Sequence, residues 1–564
     1  MGANKVIILG GGVGGLSAAH ELVERGFEVQ VFEKRGIPGG KARSMPVPGS
    51  GKDGRRDLPG EHGFRFFPRF YKHLPDTMRR IPYGRNANGV ADNLVDTSRL
   101  EYPLVGKAPI VAVDRFPTSL ADWKLLVHDA FGDYGFAPGE QSFFAERIWQ
   151  ILTSCEARRS DEYERLAWWD YIGAQGRSPA FQKFLAGGLT RSLNAAKAQL
   201  ASTRTIGNVL VQLMLDIATP GVSSDRLLNG PTNDVWVDPW VDYLRGRGVD
   251  YRLGWSFDSL QVAGGRIASA RVLDPQGQAQ EVSADHYICA VPLEVMATKI
   301  TPQMLAADPT LQGVLDIRQN VQWMNGIQFY LTQDLPVVHG HALYIDSAWA
   351  LTSVSQAQFW QGVDLSQYGD GRVRGVLSVD ISEWEVPGSA EFAGGRTAKQ
   401  CTHEQIGRET WAQLKASLNV PGQPVLLSDD MLHSWFLDPD IVPAPADGQG
   451  DIERNSEPLL VNYIRSWDCR PDAYTRIPNL FLASDYVRTY TDLATMEGAN
   501  EAARRAVNAI LDASGSDAPL CQLWKLHEPD WLAPWRAQDQ RRYDAGMPWD
   551  GQLDIGKRLA RWLG

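Results

Sequence analysis

Six residues, Gly10-Gly11-Gly12-Val13-Gly14-Gly15, sit between an apolar run and an amphipathic stretch, and that order leaves few folds open. The preceding run, Lys5–Leu9 (KVIIL), is short, rich in β-branched residues and ends in glycine, as a buried parallel strand does. After the glycines, Leu16, Ala18, Ala19, Leu22 and Val23 fall at helical spacing, Gly26 closes the helix, and Glu28–Phe32 (EVQVF) reads as the next strand. In such a unit Gly10 permits the tight turn and Gly12 lets backbone approach a pyrophosphate. Gly15 lets the helix pack close on the strand, and the helix N-terminus offers N–H groups to phosphate. Glu33 ends the second strand 23 residues after Gly10, where a carboxylate accepts from a ribose diol and repels a 2′-phosphate, which disfavours NADP. Strand, glycines, helix, second strand and acid are all in register, which a chance glycine turn does not provide.

A second glycine pair follows in Gly39-Gly40-Lys41-Ala42-Arg43-Ser44. A nicotinamide site has no need of it. A backbone segment followed by cations suits a longer ligand that carries phosphates. With GxGxxG, an acid and then GG followed by Lys and Arg, the sequence resembles the flavin-dependent superfamily of amine oxidases and phytoene and carotenoid desaturases. The resemblance implies FAD held by Gly10, Gly12, Val13, Gly14, Gly15, Glu33, Lys34, Gly39, Gly40, Lys41 and Ala42. It also implies a mixed α/β fold: a Rossmann-like FAD-binding domain of the glutathione-reductase type with an interleaved substrate-binding domain.

Farther along, Pro239–Arg247 reads as a short helix, residues 248–253, 257–262, 266–273 and 282–291 as short β runs joined by Gly265 and the turn Asp274-Pro275-Gln276-Gly277, and 284–292 as the strand that returns to the first domain. The resemblance places Phe257 near the adenine. Near the other end, Asn479–Ala483 (NLFLA) leads into Ser484-Asp485-Tyr486, and Leu493-Ala494-Thr495-Met496-Glu497-Gly498-Ala499 opens a helix. Asp485 at a strand end can hold a ribityl hydroxyl. A helix starting near Met496 aims its positive end at the anionic edge of a reduced flavin. This segment resembles the C-terminal FAD motif of plant- and cyanobacterial-type phytoene and ζ-carotene desaturases, with Ser484 in place of Gly and one extra residue before Leu493.

The expected organisation is a discontinuous FAD-binding domain over 1–64, 231–300 and 475–513, a substrate domain over 65–230 and 301–474, and a Trp/Pro-rich extension over 514–564. Thr205–Val222 is the most apolar helix candidate, read as a core helix or as the wall of a lipid-sized tunnel. The extension reads as a strap held by tryptophans. Its end, with Ile555, Leu559, Trp562 and Leu563 beside Lys557, Arg558 and Arg561, reads as a short amphipathic helix for a membrane or partner.

Composition narrows the partners. With 56 Lys+Arg against 67 Asp+Glu the net charge is −11, which excludes a dedicated nucleic-acid binder. The 19 Trp, 17 Tyr and 19 Phe serve either a large apolar site or a large core. Five scattered cysteines form no CxxC pair, and the N-terminus enters a strand directly, so the expectation is a cytoplasmic protein with peripheral membrane contact left open.

For chemistry, Glu61-His62-Gly63-Phe64-Arg65-Phe66-Phe67 is the best segment. The family shows Gly-x-His-x-Phe here, with backbone of Gly63 and Phe64 near the flavin; Arg65 stands where His is expected, and His62 precedes it. Arg65 is a candidate for stabilising negative charge or for pairing with a carboxylate, and His62 for compensating the missing histidine or for a satisfied loop position. His339-Gly340-His341 is too close-spaced to argue a metal. The leading expectation is an FAD-dependent oxidoreductase that desaturates or oxidises a small apolar substrate (a polyene, terpenoid or lipid-like chain), with oxygen, a quinone or a redox protein as acceptor. An amine or amino-acid oxidase, in which Trp467 would serve as a flanking aromatic, is the alternative. A non-redox double-bond isomerase and a flavin-free lipid-binding escort protein complete the set, the intact glycine pair and the MEGA helix arguing against the last.

Overall fold

The structure, a computed structural model, describes residues 4–113, 135–188, 190–444 and 452–553. Its first sheet is parallel throughout and runs Leu480–Leu482, His286–Cys289, Lys5–Leu9, Glu28–Glu33, Asp250–Leu253. Val6, Ile7, Ile8 and Leu9 are completely buried, as the uninterrupted apolar run requires of a central parallel strand. The helices Val13–Val23 and Met496–Ser514 lie against this sheet. A side chain at Gly14 would start 2.2 Å from the Ala483 carbonyl oxygen, so only glycine allows that approach.

A separate antiparallel sheet is made of Ser256–Ala263, Arg266–Leu273 and Ala279–Val282. The strand expected to return to the first domain over 284–292 does so, over a shorter span. Val282 ends this small sheet, and His286–Cys289 belongs to the parallel one. The break is set at Asp285, whose N–H donates to Lys5 O (3.1 Å) and whose carboxylate accepts from Lys5 N (2.8 Å).

The third sheet has seven strands in the order Leu432–Leu437, Asn325–Leu331, Gly375–Ile381, Leu351–Ser355, Gly340–Leu343, Arg99–Leu104, Lys107–Val113. Strands from before residue 114 and after residue 320 thus share one sheet, joined by the parallel pairing of Gly340 with Arg99. Its buried face packs Ile327, Phe329, Leu377 and Val379 against Trp411 and Leu414 of the helix His403–Leu418. A helical cluster around Trp168, Tyr171 and Phe181 includes Glu140–Thr153 and Thr203–Ile217. Among the described residues no helix is long and apolar enough to cross a membrane.

After Gly515, which ends the Met496–Ser514 helix with φ +65°, the extension crosses from the parallel sheet to the helical cluster. Trp524 N donates to His73 Nε2 (3.0 Å), Asn508 pairs with the Cys521 backbone, and Trp549 Nε1 donates to Thr153 Oγ1 (3.0 Å). The proposed amphipathic end, Ile555 to Leu563, lies outside the described residues. Asp539 anchors the strap, accepting from Arg158 Nε (3.0 Å) and Cys155 N (2.9 Å), with both partners of the ion pair buried. Asp539→Ala is expected to cost about 1–3 kcal/mol, because it leaves Cys155 N and Arg158 Nε without their acceptor while Glu162 and Met547 O still hold the rest of the guanidinium. Calorimetry should show a clearly lower Tm, with Asp539→Asn losing less since it keeps an acceptor for Cys155.

Candidate active site

The two glycine segments meet as bare backbone. Gly10, at φ +110°, turns where any side chain would start 2.5 Å from Ala290 O. Gly12 bridges to Gly39, Gly39 N donates to Gly11 O (3.4 Å), and Ala42 N donates to Gly39 O (3.0 Å). A side chain on Gly40 would begin 2.9 Å from Gly12 Cα, whereas one on Gly12 meets nothing nearer than Gly40 Cα at 3.5 Å. Gly12 therefore borders open space, and that space is a cleft of about 2310 Å³ counting its mouth. The cleft is lined by Gly10, Gly12, Val13, Gly14, Gly39, Gly40 and Ala42, among others. Gly15 does not face it. Its role is packing, since a side chain there would begin 1.9 Å from Gly10 O.

Two helices begin at this cleft. The Val13–Val23 helix has no side-chain cap, leaving its first N–H groups for an anion. The Met496–Ser514 helix is capped by Thr495, whose Oγ1 accepts from Gly498 N (3.0 Å), and Thr495, Met496 and Ala499 line the cleft. Glu33 closes the turn: Oε2 accepts from Gly11 N (2.8 Å) and Oε1 from Arg35 N (2.9 Å), while burial raises its pKa. Phe257 and Asp485 also line the cleft; Arg470 Nη2 donates to the Asp485 carbonyl (2.6 Å) and so fixes that turn.

The cations after the glycines are not free. Lys34 Nζ pairs with Glu457 (2.8 Å), and Lys41 Nζ pairs with Glu294 (3.0 Å). Both lysines still border the cleft. Their charge, however, is matched by protein carboxylates, which leaves phosphate binding chiefly to backbone N–H groups. A bare glycine floor, a carboxylate for ribose hydroxyls and two helix N-termini facing one elongated cleft are the donor set that FAD requires.

Next to this floor lies a cluster of buried ionisable groups. The strand Pro59–Glu61 leads into His62-Gly63-Phe64-Arg65, and Gly326 N donates to His62 O (2.7 Å). Asp380, near the end of the strand Gly375–Ile381, presses on the turn: a side chain on Gly63 would begin 2.9 Å from its Oδ1, which accepts from Phe64 N (3.3 Å). Burial pushes the Asp380 carboxyl up to about 7 against the opposing pull of Arg65. Glu61 is also pushed up to about 7 by burial, with Arg65 and the Thr232 hydrogen bonds pulling down. Arg65 lies between these acids. It donates to the carbonyls of Phe64 (3.1 Å) and Lys41, its Nε has no partner, and burial lowers its pKa. Gly63, Phe64, Arg65 and Asp380 all line the cleft.

His62 lines the cleft too, but its Nδ1 lies 2.7 Å from Asp438 and 3.3 Å from Asp440. Burial opposes its charge, and the two carboxylates outweigh burial and raise its pKa. The three groups are close enough to hold a cation. Their charge is already met, since Arg43 and Arg35 (2.6 Å) pair with Asp440 and Asn325 Nδ2 donates to Asp438 (2.6 Å). His62 is thus a structural ion-pair residue, and Asp380 is the ionisable group that sequence reading missed. Its signal was present: one carboxylate in the apolar run Gly375–Ile381 (GVLSVDI).

The remaining wall is apolar. Ile206, Val209, Leu210 and Leu213 of the helix Thr203–Ile217 face the cleft at helical spacing, joined by Phe70, Met324 and Leu459. The opposite face packs Gly207 against Ile151, so the helix serves as core and wall at once. Trp467 is not on this wall; its ring is covered by Arg204, 3.7 Å from the centroid.

The sequence profile of the family described as "Flavin containing amine oxidoreductase" matches residues 13–511. The chain belongs to that family. It is a flavoenzyme, an FAD-dependent oxidoreductase of the amine oxidase and carotenoid desaturase superfamily. Over 539 residues it is 22% identical to the Synechococcus elongatus protein named "Probable zeta-carotene desaturase", covering 90% of this chain and 99% of that one. It is also 22% identical over 548 residues to a flavin-dependent L-tryptophan oxidase of Lentzea aerocolonigenes, covering 91% and 99%. Its fold is that of cyclohexylamine oxidase from Brevibacterium oxydans, at a TM-score of 0.58 and 12% identity over 91% of this chain and all of that one. The flavoenzyme thus has the mixed α/β fold expected from its glycine motifs.

Proposed function

We propose that the flavoenzyme desaturates, or otherwise oxidises, a largely apolar chain such as a polyene, terpenoid or lipid-like molecule. The observation that carries this reading is the apolar face Ile206, Val209, Leu210 and Leu213, turned into the cleft that Asp380 and Arg65 also line. Desaturation removes a hydride from one carbon and a proton from its neighbour. FAD, when bound, supplies the two-electron acceptor. The chain's own residues do the rest. The apolar wall binds and orients the substrate and excludes water, and the Asp380 carboxylate is the group placed to take the proton. Arg65, half-buried beside it, favours the ionised form that accepts.

One observation favours a second reading. A half-buried Arg65 that makes no ion pair within 4 Å among the described residues would suit the carboxylate of an amino acid, although Glu61 and Asp380 lie near it, and one relative is a flavin-dependent L-tryptophan oxidase. Against it, the only lysines lining the cleft among the described residues, Lys34 and Lys41, are both tied to carboxylates. Mass spectrometry of products separates the two. The proposal expects loss of two hydrogens from a polyene or terpenoid and no ammonia from amines or amino acids; ammonia release with untouched polyenes would overturn it.

A further inference from the structure

A second pocket, about 1100 Å³ counting its mouth, shares no lining residue with the flavin cleft. The two lie on opposite faces of one helix. Val209, Leu210 and Leu213 of Thr203–Ile217 face the cleft, and Asn208, Val211 and Gln212 face the pocket. Its outer wall is the C-terminal extension from Lys525 to Arg536, beyond residue 511 where the family match ends.

The charge in this pocket is unbalanced. Arg159, Arg204, Lys525 and Arg536 line it against two carboxylates, Glu156 and Glu528. Glu528 is engaged by Arg159 and by Arg536 Nε (3.3 Å), Glu156 lies 3.6 Å from Arg204, and Arg204 Nη1 also pairs with buried Asp492, which lies behind the pocket wall. Among the described residues no carboxylate pairs with Lys525, whose one contact of note is the Tyr490 ring at 5.8 Å. Arg159 and Arg204 are more than nine-tenths buried, and the Nε of each has no hydrogen-bond partner. Buried donors of that kind are costly unless something accepts from them. Between the charges lie Ile151, Leu152, Val211 and Leu526, an apolar surface for a short chain.

We propose that this pocket is a second binding site, for a small organic anion: a phosphate monoester whose dianionic head meets the arginines and Lys525 and whose short apolar chain lies on Ile151, Leu152 and Leu526. Four cations face Glu156, Glu528 and Asp492, so one positive charge is in excess, and it is joined by the unpartnered Nε donors of Arg159 and Arg204 in meeting the oxygens of a phosphate monoester. Guanidinium groups are the side chains best shaped to hold its oxygens. The site is independent of what the flavin cleft oxidises.

The test is calorimetric titration of the FAD-loaded enzyme with hexyl phosphate, inorganic phosphate and hexanol. Keeping FAD bound closes the other phosphate site to the probe. The expected result is one hexyl phosphate per chain, weaker competing binding of inorganic phosphate, and no saturable binding of hexanol. Lys525→Gln, on the exposed rim, should weaken hexyl phosphate at least tenfold without changing Tm, and Arg536→Gln should weaken it as well. Three outcomes would overturn the proposal: no saturable binding at millimolar probe, equal affinity in both variants, or binding that releases flavin from the protein.

Discussion

Replacing Asp380 by Asn is expected to slow flavin reduction by substrate about 10²–10⁴-fold, the usual worth of a positioned proton acceptor, while flavin content stays unchanged. Asn keeps the acceptor for Phe64 N and the volume beside Gly63 but cannot take a proton. The ionised carboxylate is the working form. In the parent enzyme the single-turnover rate should therefore rise as pH climbs through about 7 and level off above it, and this dependence should vanish in the variant. Stability carries the same signature with the opposite sign. The folded state holds a proton that the unfolded chain releases near 3.8, so the stabilisation present at low pH is lost as pH rises through about 7. Asp380→Asn should flatten that fall in denaturation curves. A variant that reduces flavin at the parent rate would remove Asp380 from the chemistry.

Gly12→Val should yield a folded protein almost empty of flavin. Gly12 has φ −74°, accessible to any residue, and a Cβ there meets nothing closer than 3.5 Å, so the fold has no reason to object. The branched side chain would instead fill the bare backbone floor of the cleft, where the glycine motif is expected to receive a pyrophosphate. The flavin-to-protein ratio should drop at least tenfold with an unchanged circular dichroism spectrum. Gly14→Val is the contrast: its Cβ would start 2.2 Å from Ala483 O, so folding itself should suffer. Full flavin occupancy in Gly12→Val would mean that the dinucleotide lies elsewhere.

The contrast between these two sites shows what was legible in the sequence. Gly10 to Glu33 could be read because the unit is local: turn, helix, strand and acid follow one another, and each constrains the next. Asp380 could not, because its place depends on a sheet register that carries it to Phe64, 316 residues away. Lys41 was read as a cation for a phosphate-bearing ligand because its carboxylate, Glu294, is equally remote, as is the Glu457 that holds Lys34. Apolar character found a helix over Thr205–Val222, which the structure begins at Thr203 and ends at Ile217, but one apolar sequence could not say which face meets core and which meets a cleft. The return to the parallel sheet was legible, but its start at Asp285 was not, since the residue that decides it is Lys5, from the opposite end of the domain. Trp467, singled out for its aromatic ring, is enclosed by arginines that no local pattern announces.

The central claim is that this flavoenzyme takes electrons from an apolar substrate, and an anaerobic visible titration tests it most directly. The purified, flavin-loaded protein is mixed in turn with polyenes, terpenoids, fatty acids, amines and amino acids, and the flavin bands are followed. The account predicts bleaching by at least one apolar compound and none by amines or amino acids. Bleaching by amines or amino acids alone, or an isomerised alkene beside a flavin that stays oxidised, would contradict it.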